Sequence, residues 1–203
     1  MRKILKFFGI GLLIGALVWI GGVMADRQSL RDGLIRLHIV ANSDSEEDQA
    51  LKLQIRDAVT EKLEGVMAGI PDMQQAKEYL QAHLEELESL VNQVIEAAGF
   101  TDKATVTLSE EAFDTRHYDT FTLPAGVYES LRITIGEGEG KNWWCVVFPT
   151  LCVSATSDGF EDTAAGSGFQ DSLTGTLSNE PGYEIRFFFL DCLGRLENLF
   201  FGA

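Results

Sequence analysis

Residues 34–46 read Leu-Ile-Arg-Leu-His-Ile-Val-Ala-Asn-Ser-Asp-Ser-Glu. Ile35, Leu37, Ile39 and Ala41 alternate with Arg36, His38 and Val40. A period of two is that of a strand, here with one apolar face and one mixed face. Residues 42–45, Asn-Ser-Asp-Ser, break the alternation. Ser43 followed by Glu46 has the form of a capping box, and Glu46, Glu47 and Asp48 suit the first turn of a helix. The helix is expected to run to about Glu64, with Leu51, Ile55, Ala58, Val59 and Leu63 on one face. A strand, a short polar turn and a helix thus open the domain.

Outward from this unit the pattern stays helical and then changes. Residues 65–71 form a break, with Pro71 suited to a helix start. Leu80, Leu84, Leu87, Val91, Val94 and Ala98 then repeat in steps of three and four, predicting one helix over 72–98 that Gly99 ends. Beyond Gly99 the period becomes two. Residues 104–108, a stretch within 113–123, residues 131–135 and residues 143–148 read as strands. The glycine-rich residues 136–142 read as the flexible tip of an antiparallel hairpin joining the last two. Helices followed by strands give an α+β domain: an N-terminal strand and two helices packed on a mostly antiparallel sheet. Residues 26–153 are its extent. Residues 154–182, rich in Ser, Gly, Thr and acidic residues without Lys or Arg, read as a flexible loop or linker. Residues 183–203 are apolar again, read as a strand over 184–188 that turns helical.

The first 25 residues differ in kind. Arg2, Lys3 and Lys6 precede an uncharged run from Phe7 to Ala25. Two readings fit it: a signal peptide cleaved before Asp26, after Val23-Met24-Ala25, or an N-terminal membrane anchor. Either places residue 26 onward outside the cytoplasmic membrane, because the positive end stays inside.

The 203 residues carry 16 basic and 31 acidic side chains. Discounting the three basic residues of the leader leaves 13 against 31, a net charge of −18 on the exported part. Such a chain is poorly suited to nucleic acid, which requires clustered Lys and Arg. Three Cys and three His with no C-x-x-C and no H-x-x-x-H spacing point to no metal site and no cofactor. The order Gly136-x-Gly138-x-Gly140 has neither dinucleotide nor P-loop spacing, and Glu137 and Glu139 would repel phosphate.

Cys145 with His117 and Asp119 could be written as nucleophile, base and orienter of an extracytoplasmic hydrolase. The bland reading is a buried or bridged cysteine: Cys145 and Cys152 flank Pro149, and a turn there would allow a disulfide, leaving Cys192 free. Arg36, His38, Asn42 and Asp44 are denser in polar function than a strand-to-helix turn requires. Arg36 and His38, on the mixed face, are candidates either for a docking surface or for buried partners of a second layer. Trp143 and Trp144 must point to opposite faces of their strand, and an exposed Trp144 would suit an interface anchor.

Residues 35–57 and 126–152 resemble the two signature segments of the stage II sporulation protein R family in order, spacing and position behind an export signal. The resemblance implies an intercellular signal of endospore formers, exported from the forespore into the space between its two membranes. It would there activate a membrane-embedded aspartic protease of the mother cell, which processes the sigma-E precursor. On this reading the chain is no enzyme, in keeping with the absence of a D-[TS]-G motif. Its partner-binding candidates are Arg36, His38, Asn42, Asp44 and Trp144, with the 136–141 loop.

Overall fold

β1 (Ile35–Val40) lies inside a four-stranded sheet of order β2-β5-β1-β6, and this placement organises everything else. A computed structural model describes residues 2–118, 121–149, 177 and 184–201. Its elements are α1 (Arg2–Gly33), β1, α2 (Glu46–Met67), α3 (Met73–Ala82), α4 (Leu84–Ala97), β2 (Ala104–Phe113), β3 (Arg116–His117), β4 (Thr122–Leu123), β5 (Gly126–Ile135), β6 (Asn142–Phe148) and α5 (Glu184–Phe201). β1 pairs parallel with β5 and antiparallel with β6, and β2 pairs antiparallel with β5. The fold is α+β on a mixed, mostly antiparallel sheet, as the sequence pattern led us to expect.

One face of the sheet carries the helices. Ile35, Leu37 and Ile39 of β1 join Leu131, Ile133, Cys145 and Val147 beneath Leu51, Ile55, Val59 and Leu63 of α2 and Leu87, Val91 and Ile95 of α4. Burying each such aliphatic side chain stabilises the fold by about 1.5–3 kcal/mol relative to exposure. The opposite face holds a second cluster of Leu30, Leu34, Phe113, Phe121, Leu123, Tyr128, Val146 and Leu177. The end of α1 and the β3–β4 hairpin contribute to it, so β1 is buried along its whole length.

Several local expectations change. The cap of α2 is Ser45, not Ser43: its hydroxyl accepts from the Asp48 amide, while Ser43 Oγ donates to Asp48 Oδ2 at 2.6 Å. The 72–98 helix is two helices. His83, at φ −118° and ψ 14°, ends α3, and its ring stacks on Tyr79 with Nδ1 2.7 Å from the Tyr79 carbonyl oxygen. Gly99, at φ +86°, ends α4 as expected. Residues 113–123 supply only the short β3–β4 pair. Residues 184–188 begin a helix, not a strand, because α5 runs unbroken from Glu184. Leu177 is helical and buried within the stretch read as linker, whose remaining residues lie outside those described.

The largest correction concerns β5 and β6, which are not a hairpin. β1 lies between them, so residues 136–141 must cross its C-terminal end. The crossing is tied down by hydrogen bonds from the Glu139 amide to the Asn42 carbonyl, from Gly140 to Ala41, from Glu137 to Asn42 Oδ1 and from Lys141 to Asp44 Oδ1. Gly136 and Gly138 have positive φ, and a Cβ at Gly140 would collide with the Ser43 backbone. The glycines serve close backbone approach and not mobility. Gly140→Ala should therefore cost about 1–3 kcal/mol of unfolding free energy, whereas exposed Glu139→Ala should stay within about 0.5 kcal/mol. Chemical denaturation followed by tryptophan fluorescence measures both, and equal effects would mean that the loop is not packed.

Candidate functional site

The polar side chains of β1 point away from the helices, into the second cluster. Arg36 is fully buried and His38 is 4% exposed. The Arg36 guanidinium lies 4.0 Å from the centre of the Phe113 ring and 5.2 Å from that of Tyr128, and Nη2 donates to the Tyr118 hydroxyl at 3.2 Å. Its Nε and Nη1 make no hydrogen bond. Cation–π contact is thus its main electrostatic compensation among the described residues. Burial, the largest influence on Tyr128, pushes its phenol well above the ordinary value, and the hydroxyl donates to the Pro124 carbonyl at 2.9 Å.

His38 stacks on Trp144 with ring centres 3.7 Å apart, and its Nδ1 lies 2.8 Å from Glu111 Oε1. Arg132 Nη1 donates to the same oxygen at 3.2 Å. Burial alone would push the Glu111 carboxyl up. His38, the largest opposing influence, with Arg132 among the smaller ones, outweighs it and holds the group below its usual value. Arg116 lies 4.7 Å over Trp144, while Trp143, on the opposite face, sits under Arg56 at 4.5 Å. This polar layer is an interlocked interior, and its arrangement sets the position of Trp144.

Asn42 and Asp44 stand instead at the rim, where β1 ends and the 136–141 crossing passes over it. Asn42 Nδ2 donates to Asp48 Oδ2 at 3.2 Å, and its Oδ1 holds the Glu137 amide. Lys52, 5% exposed, donates to the Lys141 carbonyl at 2.9 Å and to Gln49 Oε1 at 2.6 Å. Burial lowers its pKa, against the opposing pull of Asp44. Outside this framework Asp44, Glu46, Glu47, Glu137 and Glu139 are all exposed, with Lys141 among them. The rim presents a rigid acidic edge.

The five partner-binding candidates therefore divide. Asp44 is exposed, Asn42 and Trp144 are partly exposed, and Arg36 and His38 are buried as members of the second layer. In this conformation Arg36 and His38 have no surface to offer and act through what they hold. The 136–141 loop is among the expected contacts, but the hairpin reading does not place it against Asn42 and Asp44, where the crossing sits.

Cys145 is buried against the helical face and disulfide-bonded, and Cys192 is free. A bonded sulfur is no thiolate nucleophile. His117 lies on the β3–β4 hairpin with Nδ1 3.1 Å from Thr122 Oγ1, and Asp119 and Cys152 lie outside the described residues. No group of three or more metal-ligating side chains occurs among the described residues. A polar cleft of about 290 Å³ lies between α1, α3, β2 and β5; Arg31 pairs there with Glu110 and Lys77 with Glu129, and Asp32 accepts from Gln28.

The structure is thus an α+β domain behind a long apolar helix, with a buried polar layer and an exposed acidic rim. The family model for stage II sporulation protein R matches residues 31–158. Stage II sporulation protein R of Bacillus subtilis (strain 168) is 37% identical over 154 residues, covering 73% of this chain and 69% of that protein. The chain belongs to the stage II sporulation protein R family, and it is a sporulation protein. No solved structure matches it.

Two measurements test the site chemistry. A carboxyl held below its usual pKa stabilises the fold above that usual value, near 4.3, and loses the contribution as pH falls through the lowered one. Glu111→Gln should thus destabilise by about 2 kcal/mol near pH 7, and the gap from wild type should close as pH falls below about 4. A gap independent of pH would remove the ionised-pair assignment. Thiol titration of the denatured, unreduced chain should find one reactive cysteine, Cys192, and three after reduction, as a Cys145–Cys152 bridge requires. Two thiols before reduction would exclude the bridge as an intrachain pair.

Proposed function

We propose that the exported domain is an activating ligand for a membrane-embedded aspartic protease of the mother cell, acting from the space between the two membranes around the forespore. The consequence is processing of the sigma-E precursor. The observation that carries this reading is family membership over residues 31–158. The architecture supports it. The helix Lys6–Gly33 is long and apolar enough to cross a membrane, and the rim lies at the opposite end of β1 from the point where α1 enters.

The proposed contact surface is that rim, with Asn42, Asp44 and the exposed Glu137, Glu139 and Lys141. Trp144 flanks it, held in place by His38 and by Arg116. Its sign calls for a basic patch on the receptor's extracytoplasmic face, which would speed encounter and set orientation. Arg36 enters the contact only indirectly, by supporting Phe113 and Tyr128 under the sheet.

α1 continues without a break through Ala25, so the bond before Asp26 lies inside a helix, with Val23 and Asp26 buried and Met24 and Ala25 exposed. Peptide bonds in such a setting are poor protease substrates compared with exposed loop tips. This supports an anchored form in the forespore membrane over release into the intermembrane space.

The test is reconstitution in a non-sporulating host that makes the protease and the sigma-E precursor. Immunoblots should show precursor cleavage only when this chain is present with residues 1–25. Reversing charge at Asp44, Glu137 and Glu139 together should reduce cleavage about tenfold, with the protein present and folded in equal amount. Cleavage unaffected by the reversal would move the contact away from the rim. No cleavage with the intact chain would overturn the activating role itself.

A further inference from the structure

Of the large hydrophobic side chains exposed among the described residues, all but Leu53 belong to α1 or α5. For α1 this is the composition of a membrane-crossing helix. For α5 it needs a separate account, because α5 is amphipathic in the unusual sense. Asp191, Glu197 and Asn198 face the domain, while Arg195 is exposed and reaches back to Asp191 and Thr115. The Asp191 carboxylate accepts from the Ala125 amide at 3.0 Å and from the Thr115 hydroxyl, and Asn198 donates to the Phe113 carbonyl at 2.7 Å. Glu197 pairs with Arg27 and Arg31 of α1. A Cβ at Gly194 would strike the Ala125 backbone, so the helix is pressed closely on the start of β5. Leu190 is buried and Leu193 half-buried against the domain, but most of its apolar side chains face out: Phe188 60%, Leu199 74% and Phe200 79% exposed, with Phe189, Leu196 and Phe201 beside them.

What covers this face follows from its neighbour. The Phe189 and Trp19 rings meet at 4.8 Å, edge to face. Eight residues further along each helix, Glu197 meets Arg27. Equal steps on both helices mean that α5 runs parallel to α1 and alongside it. Residue 192 is thus level with residue 22, roughly 5 Å short of the end of the uncharged run at Ala25 at 1.5 Å per residue. Residues 199–201 come level with 29–31, at the depth of headgroups in a bilayer spanned by α1. The exposed charges of the acidic rim lie at the other end of the sheet.

We propose that α5 is a second membrane element, its outward face seated in the outer leaflet and headgroup layer beside α1. The occupant is lipid, continuous with the lipid around α1. Attachment is hydrophobic, since the domain is acidic and would be repelled by anionic headgroups. The family-model match ends at residue 158, so α5 lies outside the matched stretch. The inference is independent of the receptor reading: it concerns how the domain sits on a bilayer and not what it activates.

Cys192 is free and exposed on α5, and it provides the test. The full chain is labelled there with an environment-sensitive fluorophore, without reduction, and reconstituted in vesicles of equal parts phosphatidylcholine and phosphatidylglycerol. A reference label is placed at the rim through Glu139→Cys in a Cys192→Ser background. Shallow nitroxide lipid should quench the Cys192 label about threefold more than the rim label, with aqueous iodide showing the reverse order. The double variant Phe188→Ser with Phe200→Ser should raise iodide access at Cys192. Equal iodide access at both positions would overturn the proposal. So would shielding from both quenchers with energy transfer between labelled copies, which would make a second copy the occupant.

Discussion

The fold depends on one constraint: β1 is both the first strand of the domain and an inner strand of the sheet. It enters directly from α1, so whatever holds α1 also holds the sheet at one end. It is flanked by β5 and β6, so the chain between them must pass over its other end. That passage leaves no room for side chains at residues 136, 138 and 140, and the Asn42 and Asp44 side chains receive the amide groups of the crossing. The turn after β1 is thus not merely a helix start. It is the seat of the only link between the two strands that enclose β1, and its polar residues satisfy backbone groups that an inner strand end would otherwise leave unpaired.

Central placement also explains the polar interior. A strand covered on both faces must bury both sets of its side chains, and β1 carries Arg36 and His38 in one set. Burying a guanidinium with two idle donors is costly. The aromatic rings of Phe113 and Tyr128 and the Tyr118 hydroxyl offset part of that cost, and they come from three different segments. Removing one ring would expose the charge to an apolar wall, so the layer is held as a unit. The His38–Glu111–Arg132 chain works in the same way from the neighbouring strands, and it fixes the plane on which Trp144 stacks.

The sequence made the elements legible wherever their period was strong and local. The β1 alternation, the α2 face, the Gly99 stop and the opposite pointing of Trp143 and Trp144 all follow from spacing. What could not be read was anything decided across the chain. Strand order is one case: residues 131–135 and 143–148 alternate as hairpin partners would, and only the competing claim of β1 to both neighbours separates them. The break at His83 is another, since a ring stacked on Tyr79 leaves the leucine spacing almost unchanged. α5 is a third, where an aromatic run with strand propensity becomes a helix because Asp191, Gly194, Glu197 and Asn198 fit the edge of the domain at helical spacing. Of the candidate site, the rim turn was visible as surplus polarity and the 136–141 loop was named beside it, but the hairpin reading hid that the loop crosses β1 and packs on that turn.

The result is a molecule with two unlike poles set by one strand. At the N-terminal end of β1 are α1, the start of β5 at Gly126 and the inverted face of α5; α1 and α5 carry all but one of the large exposed hydrophobic side chains among the described residues. At its C-terminal end, six residues and about 20 Å away, are Asp44, Glu137 and Glu139. The parallel pairing of β1 with β5 is what brings the first pole together, since it puts both strand starts, and so both flanking helices, on the same side. The crossing over the end of β1 is what assembles the second. If the proposed lipid placement holds, an apolar pole that tolerates lipid and an acidic pole that repels anionic headgroups would give the domain a preferred orientation without any specific contact. With α1 in a bilayer as proposed, the acidic rim would point away from that membrane.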